Sequence, residues 1–283
     1  MHDFKSFKGR NLVIATKHEK EKVIAPIFEK ELGVKCFAVL NLDTDQLGTF
    51  TGEVERKDDP ITTARKKCLL AMEIENCDMA IASEGSFGPH PSIFFAHADD
   101  EFLLFIDKKN NLEIIVRELS LETNFNCSVI TSKKELGEFV KKVKFPSHGL
   151  IIRKADTDFS EIEKGITNKN KLIETYNHFA KLYGSVYVET DMRAMYNPTR
   201  MTVIETAAIK LANKINTLCP GCNTPGFGIT ATKHGLPCEV CHFPTRSTLS
   251  YTHTCQKCSY SKEEKYPNEK YFEDPTYCDI CNP

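Results

Sequence analysis

No stretch of this sequence stays apolar for more than a handful of residues. A membrane-crossing helix needs roughly 20, so no span is expected. The opening residues, MHDFKSFKGR, are polar and lack the apolar core of a signal peptide, which makes the cytosol the expected location. Positive charge is not in excess: 37 Lys and Arg stand against 39 Asp and Glu. Residues 1–216 and 217–283 each carry a net charge of −1. Binding to a phosphate backbone normally needs a basic surplus, so nucleic acid is not the expected partner. A Walker-type phosphate loop, serine and cysteine nucleophile motifs and a helical His-x-x-x-His are also missing. The composition, 41% apolar and 27% charged, is that of a globular protein. At 283 residues the chain calls for one large domain or two unequal ones. Oligomeric state has no signature in it.

Cysteine is what the sequence has in plenty. Four of the 12, Cys36, Cys68, Cys77 and Cys127, lie scattered among apolar residues, where a buried free thiol is the default. The other eight form four C-x-x-C pairs: CPGC (Cys219, Cys222), CEVC (Cys238, Cys241), CQKC (Cys255, Cys258) and CDIC (Cys278, Cys281). In a reducing compartment such clustering indicates metal rather than disulfides. Two knuckles supply four thiolates, a tetrahedral shell for Zn²⁺ with no open position, so two structural zinc ions are expected. The spacings of 15 residues between the first two pairs and 19 between the last two suit two successive zinc ribbons. A nested arrangement, second pair with third and first with fourth, is the alternative. His234, His242 and His253 are expected on the surface or in packing, with eight thiolates already available. Residues between the pairs, such as TLSYTHT and PGFGITATKHGLP, read as short strands. Aromatic residues in this tail make docking of a protein or nucleic-acid partner a second possible use of the ribbons.

Residues 1–216 read as an α/β domain and 217–283 as a small β zinc-ribbon domain. NLVIA is an apolar strand, a helix follows from about Glu19 to Leu32 and stops at Gly33, and VKCFAVL is a second strand. Pro60 opens another helix, with Ile61, Ala64, Cys68, Leu69 and Met72 on one face. DMAIA (Asp78 to Ala82) is a further strand. Gly85, Gly88, Pro89 and Pro91 are expected to end it, leaving Glu84 at its tip. In open α/β sheets that is where ligands bind. The ordinary alternative for Glu84 is a cap or turn carboxylate. SIFFA reads as another strand, followed by His97 and Asp99, while His90 and His148 lie on Pro/Gly loops. A His/Asp/Glu metal site there lacks any supporting spacing.

The order of parts resembles the inosine/xanthosine triphosphate pyrophosphatase superfamily, especially its non-canonical purine phosphatase branch. The likeness rests on ATKHEKEK after the first strand, the helix PITTARKKCLLA, the strand ending SEGS, the helix opening KKELGEFV, and the final helix NPTRMTVIETAAIKLANKI. It covers most of residues 11–215. Lys17-His18 replaces that branch's Asn-Pro, and SEGS its IEGG. The chain as a whole, with its paired knuckles, also resembles an uncharacterised bacterial family known as a domain of unknown function, which implies no activity.

The first resemblance implies a mixed-sheet, nucleotide-pyrophosphatase-like fold and a Mg²⁺-dependent cleavage of a nucleoside triphosphate to monophosphate and pyrophosphate. Glu84 would hold Mg²⁺, with Glu53 or Glu55 completing the shell. Lys20, Arg65 and Arg200 would neutralise the triphosphate, and Lys17, Ser86 and Arg193 would contact substrate. For Arg193 and Arg200 the structural alternative is ion pairing with Asp191 and Glu189. The competing function is a non-enzymatic zinc-ribbon protein that docks a partner.

Overall fold

The computed structural model describes residues 6–39, 58–91, 93 and 95–283. The chain divides into two compact units, one reaching to Leu211 and the other running from Ala212 to Pro283. It is a mixed α/β protein, with three sheets among the described residues. Glu53 and Glu55 lie outside the described residues.

The first unit opens with β1 (Asn11–Ala15), α1 (Glu21–Leu32) and β2 (Lys35–Ala38). α1 buries Ile24, Phe28 and Leu32, a one-sided stripe of four-residue steps. It stops at Gly33, whose φ of 66° turns the chain so that its N–H donates to the Glu29 carbonyl. β1 and β2 pair in parallel, as a strand–helix–strand crossover requires. α2 (Pro60–Ile74) begins with Pro60 in its first turn, and the Asp59 carboxylate accepts from the N–H groups of Ile61 and Thr62. Ala64, Cys68, Ala71 and Met72 are its buried face, whereas Leu69, expected there, is exposed.

The expected stop after Ala82 does not occur. β3 (Met79–Pro89) runs straight through SEGSFGP, because β4 (His97–Asp107) pairs with it without a break from Met79↔Asp107 to Pro89↔His97. Proline is tolerated at a strand's end, where its missing N–H costs no ladder bond. Glu84 therefore sits inside a strand rather than at its tip. The described residues of SIFFA, Ile93, Phe95 and Ala96, are not in a strand either: Ile93 and Ala96 close the β3–β4 loop, where His90 N–H donates to the Ala96 carbonyl.

With β5 (Leu112–Ser120), the first sheet has the order β2-β1-β3-β4-β5. β1 and β3 are parallel, but their pairing ends at Ala15↔Ala82. From Ser83 onward β3 has a strand on the β4 side only, among the described residues. Side chains alternate across a strand. Ala80 and Ala82 pack with α2, so Glu84 shares that face, while Ser83 and Gly85 belong to the other.

A second, antiparallel sheet in the same unit was not foreseen. It comprises β6 (Cys127–Ile130), β7 (Leu150–Ala155), β8 (Asp158–Ile166) and β9 (Val186–Thr190), in the order β6-β9-β7-β8. α3 (Lys133–Lys142) and α4 (Lys169–Tyr183) are capped by Ser132 and Asn168. They lay Leu136, Phe139, Leu172, Tyr176 and Phe179 over Leu150, Ile152, Val186 and Val188. The division between units falls inside α5 (Pro198–Asn216). The second unit holds an antiparallel meander of β10 (Gly228–His234), β11 (Thr248–Thr254) and β12 (Ser261–Lys265).

Candidate functional site

The eight tail cysteines gather into two groups, Cys219/Cys222/Cys255/Cys258 and Cys238/Cys241/Cys278/Cys281. The pairing is thus crossed, first with third and second with fourth. This corrects both the successive and the nested arrangements. The meander supplies the reason. One strand separates each C-x-x-C pair from the next, and antiparallel strands reverse direction. Consecutive pairs therefore land at opposite ends of the sheet and alternate pairs at the same end. Gly228 at the start of β10 faces Thr254 at the end of β11, which brings the first and third knuckles together.

The knuckles share a local design. Asn223, His242, Ser259 and Asn282 each donate their N–H to the carbonyl of the first cysteine of their pair. The first three of these residues take left-handed backbone, with φ of 57°, 58° and 58°. The N–H groups of Gly221, Val240 and Lys257 point at Cys219, Cys238 and Cys255 Sγ at 3.3, 3.4 and 3.4 Å. Such contacts stabilise thiolate charge. Across each group, Sγ–Sγ distances are 3.6 Å for Cys219–Cys258 and Cys222–Cys255, 3.8 Å for Cys238–Cys281 and 3.5 Å for Cys241–Cys278. A tetrahedral zinc with bonds of ~2.3 Å sets its sulfurs about 3.8 Å apart, so both groups fit one ion each. His242 serves the turn with its ring beside Phe272, and His253 bonds Glu264 at 2.8 Å; neither belongs to a metal group.

In the first unit, residues far apart in sequence bring their charges together around β3 and β4. Lys20, the residue before α1, donates from Nζ to Ser83 Oγ at 2.8 Å. Arg200, in the first turn of α5, donates from Nε to Glu101 Oε1 at 2.6 Å and from Nη1 to the Met192 carbonyl at 2.6 Å. Its guanidinium also lies 5.1 Å from the centre of the Phe87 ring. Glu84, on the opposite face, forms an ion pair with Lys67 of α2. Asp99 and Glu101, two apart on β4, share a face, with Phe87 and Gly85 as their cross-strand neighbours. Every one of these groups is hidden: Lys20, Glu84, Asp99, Glu101 and Arg200 are at most 5% exposed.

Burial shapes their protonation. Loss of water pushes the Lys20 ammonium down to about 8; Arg200 pushes it further down, while Glu101 and Glu84 partly restore it. Desolvation drives the Asp99 carboxyl up, with Glu101 adding to the rise and Arg200 and Lys20 opposing it. Neither Asp99 oxygen, nor Glu101 Oε2, accepts a hydrogen bond from a described residue.

Of the expected substrate and catalytic residues, Lys20 and Arg200 come together on one face of β3 and β4, while Glu84 lies on the other face with Lys67. Arg65 does not join them: it makes a two-pronged pair with Glu113 of β5, at 2.8 and 2.5 Å. Arg193 pairs with Asp191 and lies over Tyr196. The expected partner of Arg200, Glu189, is instead bound by Arg153, and Arg200 takes Glu101. Lys17 is exposed and Ser86 half-buried. Sequence reasoning named Asp99 only within a His/Asp/Glu metal site that lacked supporting spacing, and missed Lys67 and Glu101 as members of this cluster. The signal was present in HADDEFLLF, where Asp99, Glu101, Leu103 and Phe105 alternate into one buried face.

One family matches residues 67–283, well over half of the sequence and including both cysteine groups, Glu84, Asp99, Glu101 and Arg200. The chain belongs to the DUF6671 family. Its description, domain of unknown function, carries no activity. No curated protein matches the chain. Within DUF6671 the match begins at Lys67, beyond Lys20, so most of the ionic cluster and the knuckles fall inside one family boundary. Among the described residues, no helix is long and apolar enough to cross a membrane.

Proposed function

We propose that this DUF6671 protein is a Mg²⁺-dependent nucleoside triphosphate pyrophosphohydrolase whose second unit is held together by two structural zinc ions. The observation that carries the reading is the meeting of Lys20 and Arg200, from the first and last helices of the unit, at the end of β1 where β3 loses its parallel neighbour. Open α/β sheets place ligands beyond the carboxyl ends of their parallel strands. The motif likeness to the pyrophosphatase superfamily, drawn from sequence alone, gives that place a substrate class.

On this reading Lys20 and Arg200 bind phosphate oxygens and carry the charge that builds up as the bond to the leaving group breaks. Water adds to the α-phosphorus and releases a proton to solvent, the bond from that phosphorus to the bridging oxygen breaks, and pyrophosphate departs with the electron pair. Bound Mg²⁺ would supply Lewis-acid chemistry at the phosphates, and the cluster's carboxylates are of the kind that hold it. Arg65, bound to Glu113, has no part.

The near-complete burial of the cluster supports a second reading. If it never opens, it is an ionic core, and the protein is a binding module that docks through its zinc unit, where Val240, Tyr277 and Ile280 stand exposed around the second cysteine group. Turnover separates the two. The zinc-loaded protein, incubated with a panel of nucleoside triphosphates and Mg²⁺, should release pyrophosphate from at least one. Lys20→Met should lower the rate by about a hundredfold or more. No release from any nucleotide leaves the binding reading.

A further inference from the structure

Asp99 and Glu101 together hold three buried carboxylate oxygens that accept no hydrogen bond from a described residue. A buried carboxylate is ordinarily supplied with donors, because an unsatisfied one is expensive. Asp99 is 1% exposed, yet neither of its oxygens is bonded among the described residues, and Glu101 offers Oε2 in the same condition. The two cations nearby do not supply the lack. Lys20 is spent on Ser83, while Arg200 bonds only Glu101 Oε1 of the four carboxylate oxygens. The arrangement is built: a side chain at position 85 would strike Glu101 Cδ at 2.5 Å and Arg200 Nη2 at 2.7 Å, so Gly85 makes the space that Glu101 occupies.

We propose that Asp99 and Glu101, rather than Glu84, are the carboxylate ligands of a divalent cation that binds together with the polyphosphate of the substrate. The inference rests on the phosphate-binding role given above to Lys20 and Arg200. A hard cation takes one or two carboxylates and completes its shell with substrate phosphates. Glu84 is claimed by Lys67 on the other face of the sheet, whereas Asp99 and Glu101 share the face of Ser83, where Lys20 is bound, and of Arg200. A bare cation next to Lys20 and Arg200 is repelled. A cation carrying a polyphosphate is not, because its anionic oxygens meet the ammonium and the guanidinium. Cation binding is therefore conditional on phosphate.

Equilibrium dialysis of Mn²⁺ against the full-length, zinc-loaded protein tests this, with and without inorganic triphosphate. One Mn²⁺ per chain beyond the zinc is expected with triphosphate, and markedly weaker binding without it. Asp99→Asn, which keeps the shape of the side chain, should weaken Mn²⁺ binding about tenfold or more, and Glu101→Gln likewise. Glu84→Gln should bind as the wild type does. Circular dichroism on each variant confirms folding, and Asp99→Asn decides the matter if Glu101→Gln does not fold. The proposal is overturned if Mn²⁺ fails to bind with triphosphate, if binding is indifferent to triphosphate, or if Glu84→Gln abolishes binding while Asp99→Asn preserves it. Conditional Mn²⁺ binding without turnover of any nucleotide would uphold this site and remove the pyrophosphohydrolase reading. Turnover that survives Asp99→Asn with Mn²⁺ affinity unchanged would do the reverse.

Discussion

Replacing Gly85 by alanine adds one methyl group in the middle of β3, a change that most strand positions absorb easily. Here the new carbon would overlap Glu101 Oε1, and it would stand 2.5 Å from Glu101 Cδ and 2.7 Å from Arg200 Nη2. The clash falls on an ion pair that is 0% exposed at both side chains. Either the backbone shifts, at the ~1–3 kcal/mol typical of overpacking, or Glu101 swings away from Arg200. Breaking a buried pair costs about 3–5 kcal/mol. A loss of about 3 kcal/mol or more is expected, a large part of the ~5–15 kcal/mol that holds a typical domain. Gly88→Ala is the control. It lies three residues along the same strand, with nothing within 4 Å of an added Cβ, and should change stability by less than about 1 kcal/mol. With no tryptophan in the chain, urea unfolding of the zinc-loaded protein is followed by circular dichroism. If Gly85→Ala unfolds at the same urea concentration as Gly88→Ala, the Glu101–Arg200 pair is not seated against β3 as described.

Three further outcomes are expected. The Asp99 carboxyl, raised to about 8, keeps its proton in the folded state over a window where the unfolded chain, at about 3.9, has lost it. Its contribution therefore weakens as pH rises from about 4 to 8. Lys20 adds no slope there, being charged in both states below about 8. Without divalent cations or phosphate, Asp99→Asn should gain melting temperature relative to wild type at pH 8 but not at pH 5; an equal difference at both would contradict this. Because the crossed knuckles tie both ends of one meander, Cys255→Ser and Cys238→Ser should each drop zinc content from about two per chain to well below one, as metal analysis will show; one ion retained would mean independent sites. Arg65→Ala, which removes a partly exposed pair, should cost less than about 1 kcal/mol in the same urea assay, and a greater loss would assign Arg65 a structural importance not visible here.

Much of the first unit's beginning was legible because local chemistry and tertiary structure agree there. Gly33 ends α1 with a left-handed turn, and Asp59 with Pro60 starts α2. The β3 segment misled because glycine and proline punctuate a chain only when no partner strand overrides them; β4 does so, residue for residue, as far as Pro89. The second sheet escaped notice because strands such as DFSEIEKGI carry mixed polar faces and declare themselves only through their partners. Lys20, Glu84 and Arg200 were singled out through their motifs. Asp99 was named only in a His/Asp/Glu site without supporting spacing and Glu101 not at all, since their meaning depends on which face of β4 they share. The knuckles were plain from spacing, but the spacing suited two successive ribbons and so misled on pairing. What settles the pairing is the strand between each C-x-x-C and the next, which reverses direction every time.

The most direct measurement is the anomalous diffraction of a crystal grown with Mn²⁺ and inorganic triphosphate. A manganese peak about 2.2 Å from oxygens of both Asp99 and Glu101, with phosphate oxygens against Lys20 and Arg200, is the expected result. A peak on Glu84, or none in the first unit, would contradict it.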